Sequence, residues 1–108
     1  MDKNDPVLDE LYKIILSRKS SPPEVSYTSS LFCKGIDKIL KKVGEEATEV
    51  VIAGKGGTDA ELVCETADLF YHLLVLLAAR NLPVDAVWSE LSRRFGISGI
   101  EEKASRKD

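Results

Sequence analysis

The stretch Gly44-Glu45-Glu46-Ala47-Thr48-Glu49-Val50-Val51-Ile52-Ala53-Gly54-Lys55-Gly56-Gly57-Thr58-Asp59-Ala60-Glu61-Leu62-Val63-Cys64-Glu65-Thr66-Ala67-Asp68 decides the fold. Its centre, Gly54-Lys55-Gly56-Gly57, is a glycine-rich turn, and both flanks read as long helices. Thr58-Asp59-Ala60-Glu61 is a capping box that restarts the helix sharply after the turn. A spacing of three puts Glu46 with Glu49, and Glu65 with Asp68, on one helix face each. Both clusters lie about two helical turns from the bend, so an antiparallel helix pair would bring four or five acids to one level. Each acid pair at ~5 Å repels by roughly 3 kcal/mol at an effective dielectric of ~20, so a positive group is expected there. Hard carboxylate oxygens select Mg²⁺, with Mn²⁺ as the alternative, over zinc or copper. The plain alternative for either cluster is a solvated acidic helix face, but matched clusters about a tight turn argue against it.

Working outward, Asp5-Pro6 starts a first helix, in which Val7, Leu8, Leu11, Ile14 and Ile15 recur at helical spacing to about Arg18. Ser20-Ser21-Pro22-Pro23 breaks it, and residues 19–27 read as a loop whose tail, from Ser26 to Ser30, offers N-caps. A single helix is expected from about Thr28 to Ala53, with Ile36, Leu40, Val43, Ala47 and Val50 as its core seam and Gly35 and Gly44 as weak points. The next runs to about Arg80. Its second half, with Leu69, Phe70, Leu73, Leu74, Leu76 and Leu77, is apolar on nearly every side, which predicts burial between two copies of the chain. Pro83 opens a last helix with Val84, Val87, Trp88 and Leu91 on one face, stopping at Gly96. The fold class expected is all-α, a helical bundle built around the antiparallel two-helix hairpin and completed by dimerisation. All of 1–108 forms one domain: an N-terminal helix and loop (1–27), a helical core (28–96) and a charged tail (97–108).

Composition narrows the class. The chain has 108 residues, enough for one core; charged residues make up 31 % and aromatics 6 %, which suits helices better than a β-sandwich. A net charge of −3 gives no reason to expect nucleic-acid binding. Cys33 and Cys64 stand alone, without zinc or disulfide spacing, and read as reduced packing residues. The start of the chain is polar and acidic, unlike a secretion signal, and the apolar run from Leu69 to Ala79 is broken by His72 and too short to span a bilayer. A soluble, cytoplasmic protein is expected. His72, the one histidine, reads either as a satisfied core residue or as a hydrogen-bonding support for a ligand carboxylate.

Lys34-Gly35-Ile36-Asp37-Lys38-Ile39 leads into Lys42-Val43-Gly44-Glu45-Glu46-Ala47; Glu61-Leu62-Val63, Glu65, Ala67-Asp68-Leu69 and Tyr71-His72-Leu73 follow, with Ser98-Gly99-Ile100-Glu101-Glu102-Lys103-Ala104-Ser105-Arg106 near the end. The two acid words resemble the all-α nucleoside triphosphate pyrophosphohydrolase (MazG-like) superfamily. The surrounding words, over about residues 26–106, are similar to the phosphoribosyl-ATP pyrophosphohydrolase family of histidine biosynthesis. The resemblance implies Mg-dependent hydrolysis of phosphoribosyl-ATP to phosphoribosyl-AMP and pyrophosphate, with the metal held by Glu46, Glu49, Glu65 and Asp68. Glu45, about 100° around the helix from Glu46, would support the ligands or position the attacking water. In many organisms enzymes of this family are fused to a cyclohydrolase, and no such domain precedes residue 1 here.

Lys34, Lys38, Lys41 and Lys42 rise along the predicted helix toward the acids. They are either a solvated basic face or, for one or two of them, phosphate contacts. Lys103 and Arg106 form a similar pair that could fold over a phosphate-rich substrate. Two rivals remain: a housekeeping pyrophosphatase of the same superfamily, and a non-catalytic helical dimerisation or metal-storage module. Di-iron bundles use Glu-x-x-His pairs, whereas this chain has Glu65-x-x-Asp68 with His72 off that spacing, which disfavours the last.

Overall fold

A computed structural model describes residues 7–96 together with residues 99, 103 and 104. Among the described residues the ordered elements are all helical: α1 (Val7–Ser17), α2 (Tyr27–Lys34), α3 (Ile36–Gly56), α4 (Asp59–Ala79) and α5 (Val84–Arg93). The protein is all-α, as its patterning predicts.

One boundary differs from the sequence reading. In place of a single helix from Thr28 to Ala53 there are two, because Gly35 sits at φ 100°, outside the helical region and on the side that glycine alone enters cheaply. Its N–H still bonds the Leu31 carbonyl, closing α2, while the chain turns into α3. Ser26 caps α2, its hydroxyl accepting from the Ser29 N–H at 3.0 Å. The break also resets the helical phase: Ile39 is the buried residue of α3's first half, while Ile36 and Leu40, expected in the seam, are exposed. Lys34 consequently belongs to α2, and of that lysine series Lys38, Lys41 and Lys42 share α3 with the acids.

The core lies around the second half of α4. Leu74, Val75 and Ala78 pack there with Tyr12 and Ile15 of α1, Leu31 of α2, Ile39 of α3 and Val84 of α5. The end of α4 is pinned twice. Asn81 takes the left-handed conformation at φ 59°, and the Leu82 N–H bonds the Leu77 carbonyl while the Asn81 N–H bonds that of Ala78, a Schellman closure. Lys19 then donates from Nζ to the Ala78 carbonyl and to Asn81 Oδ1, both at 2.8 Å, placing a cation at the negative end of α4.

The principal packing in the molecule is α3 against α4. Each has 21 residues, and only Gly57 and Thr58 separate them. Thr58 caps α4 through the expected box: its hydroxyl accepts from the Glu61 N–H at 3.1 Å, and Glu61 Oε1 accepts from the Thr58 N–H at 2.7 Å. Gly57 is required for space: a Cβ there would stand 2.9 Å from the Ala53 carbonyl oxygen and 2.9 Å from Glu61 Oε1.

By length and hydropathy α4 would also suit a membrane span. Its first half, however, carries Asp59, Glu61, Glu65 and Asp68, charges that are costly within hydrocarbon, and its second half forms the bundle core.

Candidate active site

Glu46 on α3 and Glu65 and Asp68 on α4 come together, each offering a carboxylate oxygen within 4.8 Å of the others. Glu46 precedes the link by nearly as many residues as Asp68 follows it, with Glu65 one turn nearer the link, and the packing of α3 on α4 brings the three together. Glu46 and Glu65 are half-buried and Asp68 is exposed, leaving one side of the group open to solvent. Glu49 lies outside this tight trio but beside Glu65, and the two line a shallow cleft with Glu61, Ile52, Ala53, Gly56 and Gly57. Desolvation, followed by the neighbouring carboxylates of Glu49, Asp68, Glu46 and Glu61, holds the Glu65 carboxyl above the usual carboxylate range.

Among the described residues, the cation nearest the cluster is Lys42, one turn before Glu46. Its Nζ lies 3.4 Å from Glu46 Oε2 and 3.6 Å from Glu45 Oε1. Partial burial disfavours its charged form, but Tyr27, Glu46 and Glu45 outweigh that and hold the ammonium above the ordinary lysine value. Glu45 is exposed, lies outside the trio and shares this lysine with Glu46. Among the described residues Lys34 and Lys38 make no ion pair with the acids: Lys34 is exposed at the end of α2, and Lys38 is half-buried two turns before Glu46. Lys103 is exposed and helical, and Arg106 lies outside the described residues.

His72 is a core residue whose ring also holds the main chain of Asp68. It is buried; its Nδ1 lies 2.8 Å from the Asp68 main-chain carbonyl and its Nε2 2.8 Å from the Tyr27 hydroxyl. A carbonyl oxygen only accepts, so Nδ1 carries the hydrogen; Nε2 of the neutral ring then accepts from Tyr27. Tyr71 completes the group, edge-on to His72 and stacked with Tyr27 at 6.4 Å, with its hydroxyl bonded to Thr28. Tyr27 carried no signal in the sequence beyond its aromatic character, because its hydrogen-bond partner His72 is 45 residues away. Cys33 and Cys64, expected in the packing, are both exposed, since each falls on the outward face of its helix.

A second surface stands out by its chemistry. Leu8, Phe70, Leu73, Leu77, Val87, Trp88 and Leu91 of α1, α4 and α5 line an apolar cleft of about 410 Å³. Phe70 is 48 % exposed there, Trp88 40 % and Leu91 46 %. Trp88, on the apolar face of the last helix, is half open here.

An all-helical chain in which α3 and α4 bring the carboxylates of Glu46, Glu65 and Asp68 to one open-sided point defines an all-α protein with an acidic cluster at its surface. Comparison with known proteins narrows that class. The sequence model of the phosphoribosyl-ATP pyrophosphohydrolase family matches residues 8–95, and the chain belongs to that family. It is 73 % identical to the phosphoribosyl-ATP pyrophosphatase of Trichlorobacter lovleyi and 60 % identical to that of Geobacter sulfurreducens, in each case over the whole of both chains. It is 62 % identical to the enzyme of the same name from Geotalea daltonii, over 95 % of this chain and 97 % of the relative.

Proposed function

We propose that the protein hydrolyses phosphoribosyl-ATP to phosphoribosyl-AMP and pyrophosphate, the second step of histidine biosynthesis. The observation that carries the reading is the convergence of Glu46, Glu65 and Asp68 within 4.8 Å, in a chain whose relatives bear that enzyme's name. The donor set suits Mg²⁺, with Mn²⁺ as a substitute: the oxygens are hard, they come from more than one element, and the open side leaves room for water and phosphate. Glu46, Glu65 and Asp68 are the ligands in this reading, and Glu49 supplies a fourth from the cleft it shares with Glu65. When bound, the ion neutralises phosphate oxygens and makes hydroxide available near neutral pH.

The chain's own residues supply position. Water adds to the α-phosphorus as the bond to the α–β bridging oxygen breaks, and pyrophosphate leaves with that oxygen. Glu45, exposed beside Lys42, is assigned to orient the attacking water and accept its proton. Lys42 is the first phosphate contact, because it already stands at the edge of the acids; Lys38, Lys34, Lys103 and Arg106 are assigned to the outer phosphates. The housekeeping triphosphate pyrophosphatase shares the acid cluster, but the family match favours the histidine-pathway substrate.

The active species in this reading is a cytoplasmic homodimer. The open cleft around Phe70, Leu73, Trp88 and Leu91 supports it, since a second copy would remove those side chains from water. Phosphorus NMR of purified protein with phosphoribosyl-ATP and Mg²⁺ tests the activity. One pyrophosphate and one phosphoribosyl-AMP should appear per substrate, with no early orthophosphate. Orthophosphate appearing first, or far faster turnover of dUTP or dCTP, would overturn the assignment.

A further inference from the structure

The Tyr27–His72 pair is not accounted for by the acid cluster itself, yet it touches it from behind. The Tyr27 hydroxyl donates to His72 Nε2, and His72 Nδ1–H donates to the main-chain oxygen of Asp68, each over 2.8 Å. This chain of two hydrogen bonds joins the first residue of α2 to Asp68, one of the two cluster acids on α4. His72 is 6 % exposed, so its ring has no room to choose another partner, whereas Tyr27 is 49 % exposed and reaches the pair from the surface. Once its hydrogen is committed to His72, the Tyr27 oxygen presents only lone pairs outward. The charges that act on it there are Lys42, Glu46, Glu45 and Asp68, the groups of the site.

We infer that Tyr27 and His72 are positioning residues that set the Asp68 backbone, and through it the separation of Asp68 from Glu46 and Glu65, for binding of a divalent cation. The inference rests on the acid cluster being the metal site. A tethered carbonyl leaves the Asp68 side chain fewer directions to explore, so less order must be imposed when the cation binds. Outer hydrogen-bonding partners of metal ligands act this way elsewhere, and their loss typically weakens binding by about 10- to 100-fold.

Tyr27→Phe removes the hydroxyl and keeps the ring, and the stacking on Tyr71 keeps α2 in place. Tyr71→Phe is the matched control, because the Tyr71 hydroxyl bonds Thr28 on the same helix pair but does not touch His72. The readout is direct binding of Mn²⁺ to the apo protein, followed by loss of the free-ion electron paramagnetic resonance signal, with a circular dichroism melt of each variant. Tyr27→Phe should weaken Mn²⁺ binding by about tenfold, while Tyr71→Phe leaves it within twofold of the unaltered protein. Unchanged binding in Tyr27→Phe overturns the inference alone. Equal weakening in both variants also overturns it, since general packing of α2 on α4 would then be the cause. Failure of the unaltered protein to bind Mn²⁺ overturns both this inference and the metal site beneath it.

Discussion

Adjacent glycines at the turn should respond to alanine with opposite signs. At Gly57 a methyl group would stand 2.9 Å from the Ala53 carbonyl oxygen and 3.1 Å from its Cα, backbone atoms that cannot turn aside. The third obstacle, Glu61 Oε1 at 2.9 Å, can move, but only by giving up its bond to the Thr58 N–H at 2.7 Å. Overpacking of this kind costs about 1–3 kcal/mol and the lost hydrogen bond about 1 kcal/mol. The backbone at Gly57, φ −90° and ψ 178°, is open to any residue, so alanine recovers roughly 0.4–1 kcal/mol from the less disordered unfolded chain. The net is a loss of about 2 kcal/mol, which for a domain of this size lowers the melting temperature by about 10 °C. Gly56, the last residue of α3, has nothing within 4 Å of its would-be Cβ, so Gly56→Ala should gain up to about 1 kcal/mol from helix propensity. Thermal and urea melts of both variants, monitored by circular dichroism, make the comparison, with Glu61→Ala as a third. In the double variant Gly57→Ala/Glu61→Ala the two losses should fall short of their sum, because the first change has already displaced the Glu61 side chain. An unchanged or raised melting temperature in Gly57→Ala would refute the steric argument.

Glu65→Gln should raise the melting temperature of the metal-free protein by relieving repulsion from Glu49, Asp68 and Glu46, and should remove the further rise that Mg²⁺ produces in the unaltered protein; a full Mg²⁺ response in this variant would take Glu65 off the ligand list. Light scattering at micromolar concentration should give about twice the 11.9 kDa chain mass, and Trp88→Glu should return it to the single-chain value with helicity retained; a well-folded monomer of the unaltered protein would send the cleft to another use. Glu90 accepts hydrogen bonds from Arg93 and Arg94, which hold its carboxyl down to about 2. Its folded value lies below the unfolded 4.5, so its stabilisation is present above pH 4.5 and lost as pH falls toward 2. Glu90→Gln should flatten the melting temperature in that window alone, and an unaltered slope there would mean the pairing is not kept in solution.

The sequence by itself determined what is local. The capping box at Thr58 and Glu61, the stop after α1 and the all-helical class follow from spacing and turn chemistry, which act between residues a few positions apart. The meeting of Glu46 with Glu65 and Asp68 was legible for the same reason: across so short a link, residues at similar distances from the turn come to similar levels of the two helices, although Glu49, grouped with them by spacing, falls outside the trio. Gly35 shows the limit. Glycine tolerates both a weak helix and a left-handed break, and the choice fell to whether α2 could lay Leu31 into the core beside Val75 and Ala78. That choice moved the seam of α3 to Ile39 and left Lys34 on a different helix from the acids. His72 was undecidable in one dimension, because a core histidine and a ligand's support share one sequence pattern, and the Tyr27 hydroxyl that answers its Nε2 is 45 residues away. Only the packing of α2 on α4 brings the two within hydrogen-bond reach. Contacts of that separation depend on how every intervening helix is placed, which no local pattern encodes.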